Sequence, residues 1–384
     1  YHTALDNIEN LNWSSLAHQG TYLYPLLQHF ADADLSNLKS DVDHVYTNFP
    51  IIKILHYPFS WIYPLLILAW IAFGVLTFYS IKKHISSISA IGKAFIPFAG
   101  AFIAIGLLGY FVWPILLKIY PQYSEIQQGF TYNGHYYIAS IVAMAFGISF
   151  LAYYKGFNKI HPTALLFPFV LIWLIINTLL ASKLKGGTYF IIPVYFALVA
   201  MALYLRKKPP HLLLLSLLSF SALYIFVPLI QYFPVGLGLK MLILSAVFSF
   251  LLFGLLLPVF SAYKKPVSMG IGFSILALVF FGITHFQSDF TENRPKPNSL
   301  VYYADWDKKE AYWTSFDKQL DSWTQEILGD NPEEASAYID SHSYSKYGHA
   351  YSYAKTADWV DFPDMQIMTL SDEIVGDERQ VKVL

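Results

Sequence analysis

The sequence contains no cysteine in 384 residues. Disulfide bonds and thiolate metal sites are therefore excluded, and any bound metal ion must be held by imidazole and carboxylate groups. Charged residues are also scarce, at 13 %, whereas 55 % of the residues are hydrophobic. Because a soluble globular protein carries about 25 % charged residues, this composition indicates a chain that lies largely in a membrane.

Acidic residues are almost missing from the middle of the chain. Between Tyr57 and Gln287 there are fourteen Lys or Arg and a single acidic residue, Glu125. The chain before Tyr57 has six acidic and two basic residues, and the chain from Ser288 onward has nineteen acidic and nine basic residues. Nucleic-acid binding requires a basic surface on a soluble part, so these acidic flanks argue against a nucleic-acid partner.

Eight apolar stretches are each long enough to cross the hydrocarbon core of a bilayer, which takes about 20 residues of helix. They are predicted at 57–81, 91–117, 135–154, 161–181, 187–205, 211–233, 237–263 and 266–287. The predicted fold class is therefore mainly α, a polytopic membrane protein with about eight transmembrane helices.

The basic residues of the loops predict how these helices are oriented. Loops after the odd-numbered spans hold ten Lys or Arg, and loops after the even-numbered spans hold four. Lys and Arg are enriched in cytoplasmic loops, so both soluble ends are expected on the non-cytoplasmic face. This predicts an integral membrane protein of a bacterial inner membrane facing the periplasm, or of an endoplasmic-reticulum or vacuolar membrane facing the lumen.

Three regions are predicted: residues 1–50, a transmembrane domain at 51–288, and a β-rich soluble domain beginning at 289–384. A Pro-rich linker at 292–299 opens the last region. Strand composition occurs at 299–304, 311–316, 365–370 and 380–384, and an apolar stripe stopped by Gly329 predicts a helix over 317–328. Because the chain ends on an alternating strand without a partner, this last domain is expected to continue further.

The first thirty residues contain the segment with most chemical interest. His2 precedes a loop, and Asn12 is placed to cap a following helix. The apolar stripe expected to be buried on that helix is Trp13, Leu16, Gly20, Leu23, Leu27 and Phe30. By itself a His before a Thr is compatible with a structural role as well as with a metal ligand.

The segment YHTALDNIENLNWSSLAHQGTYLYPLLQHFA closely resembles the end of the catalytic domain in the co-catalytic zinc peptidases of clan MH, the aminopeptidase Y type (peptidase family M twenty-eight). In that family the pattern Tyr-His-Thr, two residues and Asp is followed by a helix that closes an α/β fold. About eight membrane helices and a second soluble domain opening with KPNSLVYYADWDKKEAYWTSFD make the layout similar to the Fxna-type endoplasmic-reticulum metallopeptidases and vacuolar membrane proteases.

The resemblance implies specific roles. His2 would be the last metal ligand, a neutral imidazole on one of two zinc ions, and Asp6 would shape the loop by hydrogen bonding. The remaining ligands and the Glu that acts as general base lie upstream in the family, so no catalytic residue is expected within this sequence. Since the chain starts at Tyr1 rather than Met, we expect a C-terminal part of a zinc exopeptidase that is inactive alone.

Other candidates have more ordinary interpretations. His18 and His29 are expected on the surface of the first helix or in packing. Polar residues within or near the spans are costly and often functional; these are Asn177, Gln231, Lys240 and His285. Gly270 and Gly272 are interpreted as helix packing, and His342 and His349 as residues of a solvated loop.

Two hypotheses follow. In the first, the protein is an integral-membrane zinc aminopeptidase whose partners are membrane lipid and peptide substrates. In the second, it is a non-catalytic transporter, receptor or scaffold with a degenerate peptidase remnant. Ion-coupled transport is disfavoured because no Asp, Glu, Lys or Arg is predicted deep within a span, Lys240 near a span end excepted.

Overall fold

The computed structural model describes residues 3–206, 208–339, 348, 350–361, 369–376 and 378–383. It is mostly helical, at 65 %, with small sheets. Two compact units are formed: the larger runs from Leu5 to Lys296, and the smaller holds the residues from Pro297 onward together with Thr3 and Ala4.

The larger unit begins with helix α1 (Trp13–Ala31), whose N-terminus is capped by the side chain of Asn12 accepting from the Ser15 amide. This confirms the predicted helix and its cap. The predicted burial of its stripe is wrong: Leu16, Leu23 and Leu27 are 50 %, 66 % and 67 % exposed, and no residue of α1 is buried. The physical reason is that no element of the described chain covers this face.

A β-hairpin connects α1 to the first membrane helix. Strands β1 (His44–Phe49) and β2 (Lys53–Pro58) pair antiparallel, with Tyr46 opposite His56. Its tight turn places Ile51 and Lys53 at positive φ. This hairpin is not among the elements predicted from the sequence.

Eight helices of the described chain are long and apolar enough to cross a membrane. They are α2 (Ile62–Lys82), α3 (Ile88–Ile119), α4 (Gly134–Lys159), α5 (Pro162–Lys183), α6 (Ile191–Tyr204), α7 (Leu212–Leu237), α8 (Leu242–Phe260) and α9 (Pro266–Phe286). Short 3₁₀ turns extend several of them, at Phe59–Trp61, Lys185–Phe190 and Leu239–Met241. The eight predicted apolar helices are therefore confirmed as helices of sufficient length to cross a membrane.

Close packing between the membrane helices depends on small residues, since lipid tails offer no hydrophobic driving force for association. A Cβ added to Gly270 on α9 would lie 2.7 Å from Leu151 Cγ on α4, and one added to Gly147 on α4 would lie 2.5 Å from Ser274 Oγ on α9. The packing role predicted for Gly270 is therefore confirmed. Gly272 has no such neighbour within 4 Å.

Helix α8 lies at the centre of the bundle. Almost every residue from Ser249 to Pro258 is buried, whereas α2, α3 and α9 expose most of their surface on the outside of the bundle. Gly254 of α8 faces the ring of Phe169 on α5 directly. The core of the larger unit is therefore formed by α4, α5 and α8, with aromatic rings filling the space between them.

The smaller unit contains a four-stranded antiparallel sheet in the order β3-β4-β6-β5. Its strands are β3 (Val301–Asp305), β4 (Glu310–Ser315), β5 (Glu333–Glu334) and β6 (Tyr353–Ala357). A separate hairpin pairs β7 (Thr369–Val375) with β8 (Glu378–Val383). The predicted helix over 317–328 is too long, because the side chain of Asp321 accepts from the Thr324 amide and starts α10 only at Ser322–Leu328.

Candidate functional site

The predicted metal ligand His2 lies outside the residues that the structure describes, as do His342 and His349. Asp6 is exposed in the loop before a 3₁₀ turn, Ile8–Asn10, which Asn7 caps. The role of His2 and the α/β fold of its surroundings therefore stay predictions. Among the described residues, no group of three or more His, Asp or Glu side chains is placed to hold a metal ion.

His18 and His29 are both exposed on α1, as expected for surface residues. The Nε2 atom of His18 is 2.8 Å from the hydroxyl of Tyr22, one helical turn further on. The ring of His29 contacts the ring of Phe30 edge to face, with centroids 5.0 Å apart. Neither contact brings two histidines of this helix together.

Polar groups meet instead at one end of the membrane bundle, where α3 and α9 end and α4 begins. We call this the polar cluster; its members are Tyr120, Tyr123, Asn133, Tyr137, Thr284 and His285. The amide nitrogen of Asn133 donates both to the Tyr123 hydroxyl and to the Thr284 carbonyl, at 2.8 Å each. The Thr131 hydroxyl donates to Asn133 Oδ1 at 2.6 Å. Asn133, which is 1 % exposed, thereby ties the first turn of α4 to the last turn of α9.

Tyr120, Tyr137 and His285 complete the polar cluster. The hydroxyls of Tyr123 and Tyr137 are 3.1 Å apart, and the Tyr120 hydroxyl is 2.8 Å from Nδ1 of His285. Burial raises the pKa of Tyr123, so this hydroxyl stays protonated and can keep donating a hydrogen bond. His285, singled out from the sequence as a polar residue at a span end, therefore belongs to a connected network.

Glu125 lies beside the polar cluster, in the 3₁₀ turn Pro121–Glu125 that follows α3. Its side chain is 3 % exposed, and its carboxylate oxygen is 3.8 Å from Nζ of Lys296. A buried carboxylate is costly unless it is paired. The ion pair with Lys296 joins the linker to the membrane bundle. The signal for this residue in the sequence is that Glu125 is the one acidic residue between Tyr57 and Gln287, although its role is not predicted from that position alone.

Further contacts attach the linker that follows α9. The Tyr132 hydroxyl donates to the Pro295 carbonyl at 2.8 Å, and Arg294 donates to the Gln287 carbonyl at 3.1 Å. Gln122 donates to the Asp289 carboxylate at 3.3 Å. The chain leaving the last span is thus held against the bundle over residues 289–296.

The remaining polar residues of the spans differ in burial. Gln231 is exposed on α7, six residues before the last residue of that helix. Lys240 is exposed in the 3₁₀ turn before α8. Asn177 on α5 is 1 % exposed; its nitrogen donates to the Trp173 carbonyl at 2.9 Å, but its Oδ1 has no hydrogen-bond partner among the described residues. A void of about 10 Å³ lies between Asn177, Tyr57 and Thr188, which is room for about one water molecule.

Chemically, the polar cluster and Glu125 can anchor and orient the linker, because satisfied buried networks rigidify the elements that they join. No family model, no curated protein and no solved structure matches this chain.

Proposed function

We propose that this chain belongs to an integral-membrane zinc-dependent exopeptidase of the aminopeptidase type, which hydrolyses peptides on the non-cytoplasmic face. The observation that carries the proposal is the Tyr1-His2-Thr3 segment, with Asp6 and a capped helix behind it, joined in one chain to eight membrane-spanning helices. His2 would supply one metal ligand of the enzyme.

The exposed face of α1 supports this proposal. A stripe of large apolar residues on a helix normally packs on another element, yet Trp13 and Leu23 are 60 % and 66 % exposed in the described chain. A helix that closes an α/β peptidase domain would cover this stripe with that domain. The stripe is thus an expected contact surface for the catalytic domain.

Topology gives the second support. An even number of spans returns the chain to the face from which it started, so eight crossings would bring α1 and the β-rich unit to the same side of the membrane. The ten-to-four excess of loop Lys and Arg favours the non-cytoplasmic face for both. A peptidase domain preceding α1 would share that compartment with the β-rich unit.

Zinc fits the proposal only with groups from outside this sequence. A catalytic zinc needs about three protein ligands, and the described residues offer no cluster of three. Bound zinc would supply an activated water and would polarise the scissile carbonyl. Within this sequence the expected contribution is limited to the His2 imidazole and to the loop that orients it, so the isolated chain should not hydrolyse peptides.

The test is to express the complete gene product that contains this sequence and to measure bound zinc and release of N-terminal residues from peptides. His2→Ala should lower activity at least about 100-fold, since even outer-shell partners of metal ligands cost about 10- to 100-fold. His18→Ala is the matched control and should retain activity, because His18 is exposed and lies on the side of α1 opposite the apolar stripe.

A zinc-free protein, or full activity in the His2→Ala variant, would reject the peptidase proposal. Substrate transport or ligand binding by the spans, without zinc-dependent hydrolysis by the complete protein, would favour the non-catalytic alternative.

A further inference from the structure

Two histidines meet on the β-hairpin that leads into the first span. His44 opens β1, and His56 lies on β2 opposite Tyr46, so the two histidines are diagonal neighbours on the same face of the hairpin. Both side chains are exposed. The hairpin lies some forty residues after His2, and nothing in the proposed peptidase chemistry uses it.

The two rings are in edge-to-face contact, with their planes 67° apart, and their distance is also compatible with a shared metal ion. The centroids of His44 and His56 are 5.2 Å apart. A zinc–nitrogen bond of about 2.0–2.1 Å places the metal about 3.2 Å from the ring centre, so two imidazoles on one tetrahedral ion have centres about 5.2 Å apart. A square-planar ion with adjacent imidazoles would bring the centres to about 4.5 Å. The observed centroid spacing therefore fits the tetrahedral arrangement.

The tautomer of His44 is also suited to binding a metal. Its Nδ1 atom lies 3.1 Å from the carbonyl oxygen of Val42. Because a carbonyl oxygen only accepts, this contact places the ring proton on Nδ1 and leaves the Nε2 lone pair free in the neutral ring. Metal-binding histidines characteristically donate their other N–H to a carbonyl or carboxylate in this way.

Space is available for further ligands. An open recess of about 380 Å³ adjoins His44, and its lining includes Tyr46, Asn48 and Tyr189. The described residues provide no third His, Asp or Glu next to the pair. An ion held by the two imidazoles would therefore keep coordination positions for water or for a group supplied by a bound molecule.

We propose that His44 and His56 form a binding site for a single divalent transition-metal ion, through one nitrogen of each imidazole with water in the remaining positions. Imidazole suits Zn²⁺, Ni²⁺ and Cu²⁺. The ring spacing favours tetrahedral Zn²⁺, whereas square-planar Cu²⁺, which binds imidazole most tightly among these ions, would draw the two rings together by about 0.7 Å. The site is independent of His2 and of the proposed peptidase centre.

The test uses the full chain in detergent micelles, with Cu²⁺ as the probe and Zn²⁺ as its competitor. Calorimetry should give one site that is stronger than the background of the other histidines. Electron paramagnetic resonance of the bound Cu²⁺ should show splitting from two nitrogen ligands. Zn²⁺ should displace this signal.

Variants separate metal binding from simple ring packing. His56→Phe keeps an aromatic ring against His44 but removes the nitrogen, and His44→Ala removes the other ligand; each should weaken binding at least about tenfold and reduce the splitting to one nitrogen. His18→Ala and His29→Ala, both on exposed positions of α1, should leave affinity and splitting unchanged. A Cu²⁺ signal with fewer than two nitrogens in the unaltered chain, or an affinity unchanged by both hairpin variants, would overturn the proposal.

Discussion

Gly254 shows how little space a single residue has in the centre of this bundle. A Cβ added there would overlap the ring of Phe169 on α5, which is itself fully buried. Gly254→Ala should therefore force α5 and α8 apart and lower the stability by about 1–3 kcal/mol, the usual cost of overpacking a core. Thermal unfolding of the protein in detergent measures this effect.

The matched control is Gly272→Ala on α9, where an added Cβ has no neighbour within 4 Å. Its melting temperature should stay within experimental error of the parent or rise, since Ala is the better helix former. Equal losses in the two variants would mean that a general effect of Gly, rather than the contact with Phe169, sets the stability.

His161 is expected to make the stability of the protein depend on pH. Its Nδ1 accepts from the Thr163 amide at 3.4 Å and so caps α5, which begins at Pro162. Burial lowers the pKa of His161. Between this lowered pKa and the unfolded value of about 6.5, the unfolded chain binds more protons than the folded one. Stability should therefore fall as the pH drops below about 6.5.

Melting temperatures between pH 5 and pH 8 provide the measurement. His161→Asn keeps a capping acceptor without a titrating proton, so it should show a smaller loss of stability at low pH than the parent. His84→Asn is the control, because His84 is exposed at a positive φ of 57° that Asn tolerates. If His161→Asn and His84→Asn have the same pH profile as the parent, the cap does not titrate in this range.

At the scale of elements, the spans could be predicted because their signal is local. A run of about 20 apolar residues is sufficient by itself, and the predicted 266–287 agrees with the helix Pro266–Phe286 to within one residue. The larger differences occur where a helix continues into polar sequence, as at the end of α4, which extends to Lys159 rather than to residue 154.

Elements that depend on distant partners could not be predicted in this way. Strand β6 forms only because Tyr353–Ala357 pairs with β4, some forty residues earlier in the sequence. The stripe of α1 carries the pattern of a buried face, but a pattern cannot say whether its partner is present. The predicted start of α10 is too early, because Asp321, which caps the helix, lies within the predicted range 317–328.

The polar cluster was predictable in part. His285 and the scarcity of acids around Glu125 both stand out in the sequence. The spatial arrangement of the cluster cannot be predicted from the sequence in this way. Asn133 and Thr284, for example, are separated by 151 residues and meet only when α4 and α9 pack together. Spatial convergence of this kind depends on tertiary packing, which local sequence patterns do not encode.

The ends of α4 and α9 should separate when Asn133 is replaced. Asn133→Leu removes both donors and leaves the buried Tyr123 hydroxyl and Thr284 carbonyl with one partner fewer, at a cost of about 1–3 kcal/mol. Hydrogen exchange should then increase in the last turn of α9 and in residues 289–296, together with a lower melting temperature. Asn158→Leu, at the exposed opposite end of α4, is the control and should leave both readouts unchanged.

At the scale of the whole molecule, the arrangement across the membrane decides whether the proposed function is possible. A chain with eight spans begins and ends on one face, whichever face that is. The excess of Lys and Arg in the loops after the odd-numbered spans predicts the non-cytoplasmic face for both ends. The number of crossings and the orientation are separate claims, and the same set of variants can test both.

Because the chain has no cysteine, each introduced cysteine reports its own position without background. Ser36, Ser336 and His84 are exposed, before the first span, after the last span and between the first two spans. In intact cells, a membrane-impermeant maleimide should label Ser36→Cys and Ser336→Cys and should reach His84→Cys only after the membrane is opened. Labelling of one serine variant without the other would require an odd number of crossings. Labelling of His84→Cys alone would place α1, and with it the proposed peptidase, in the cytoplasm.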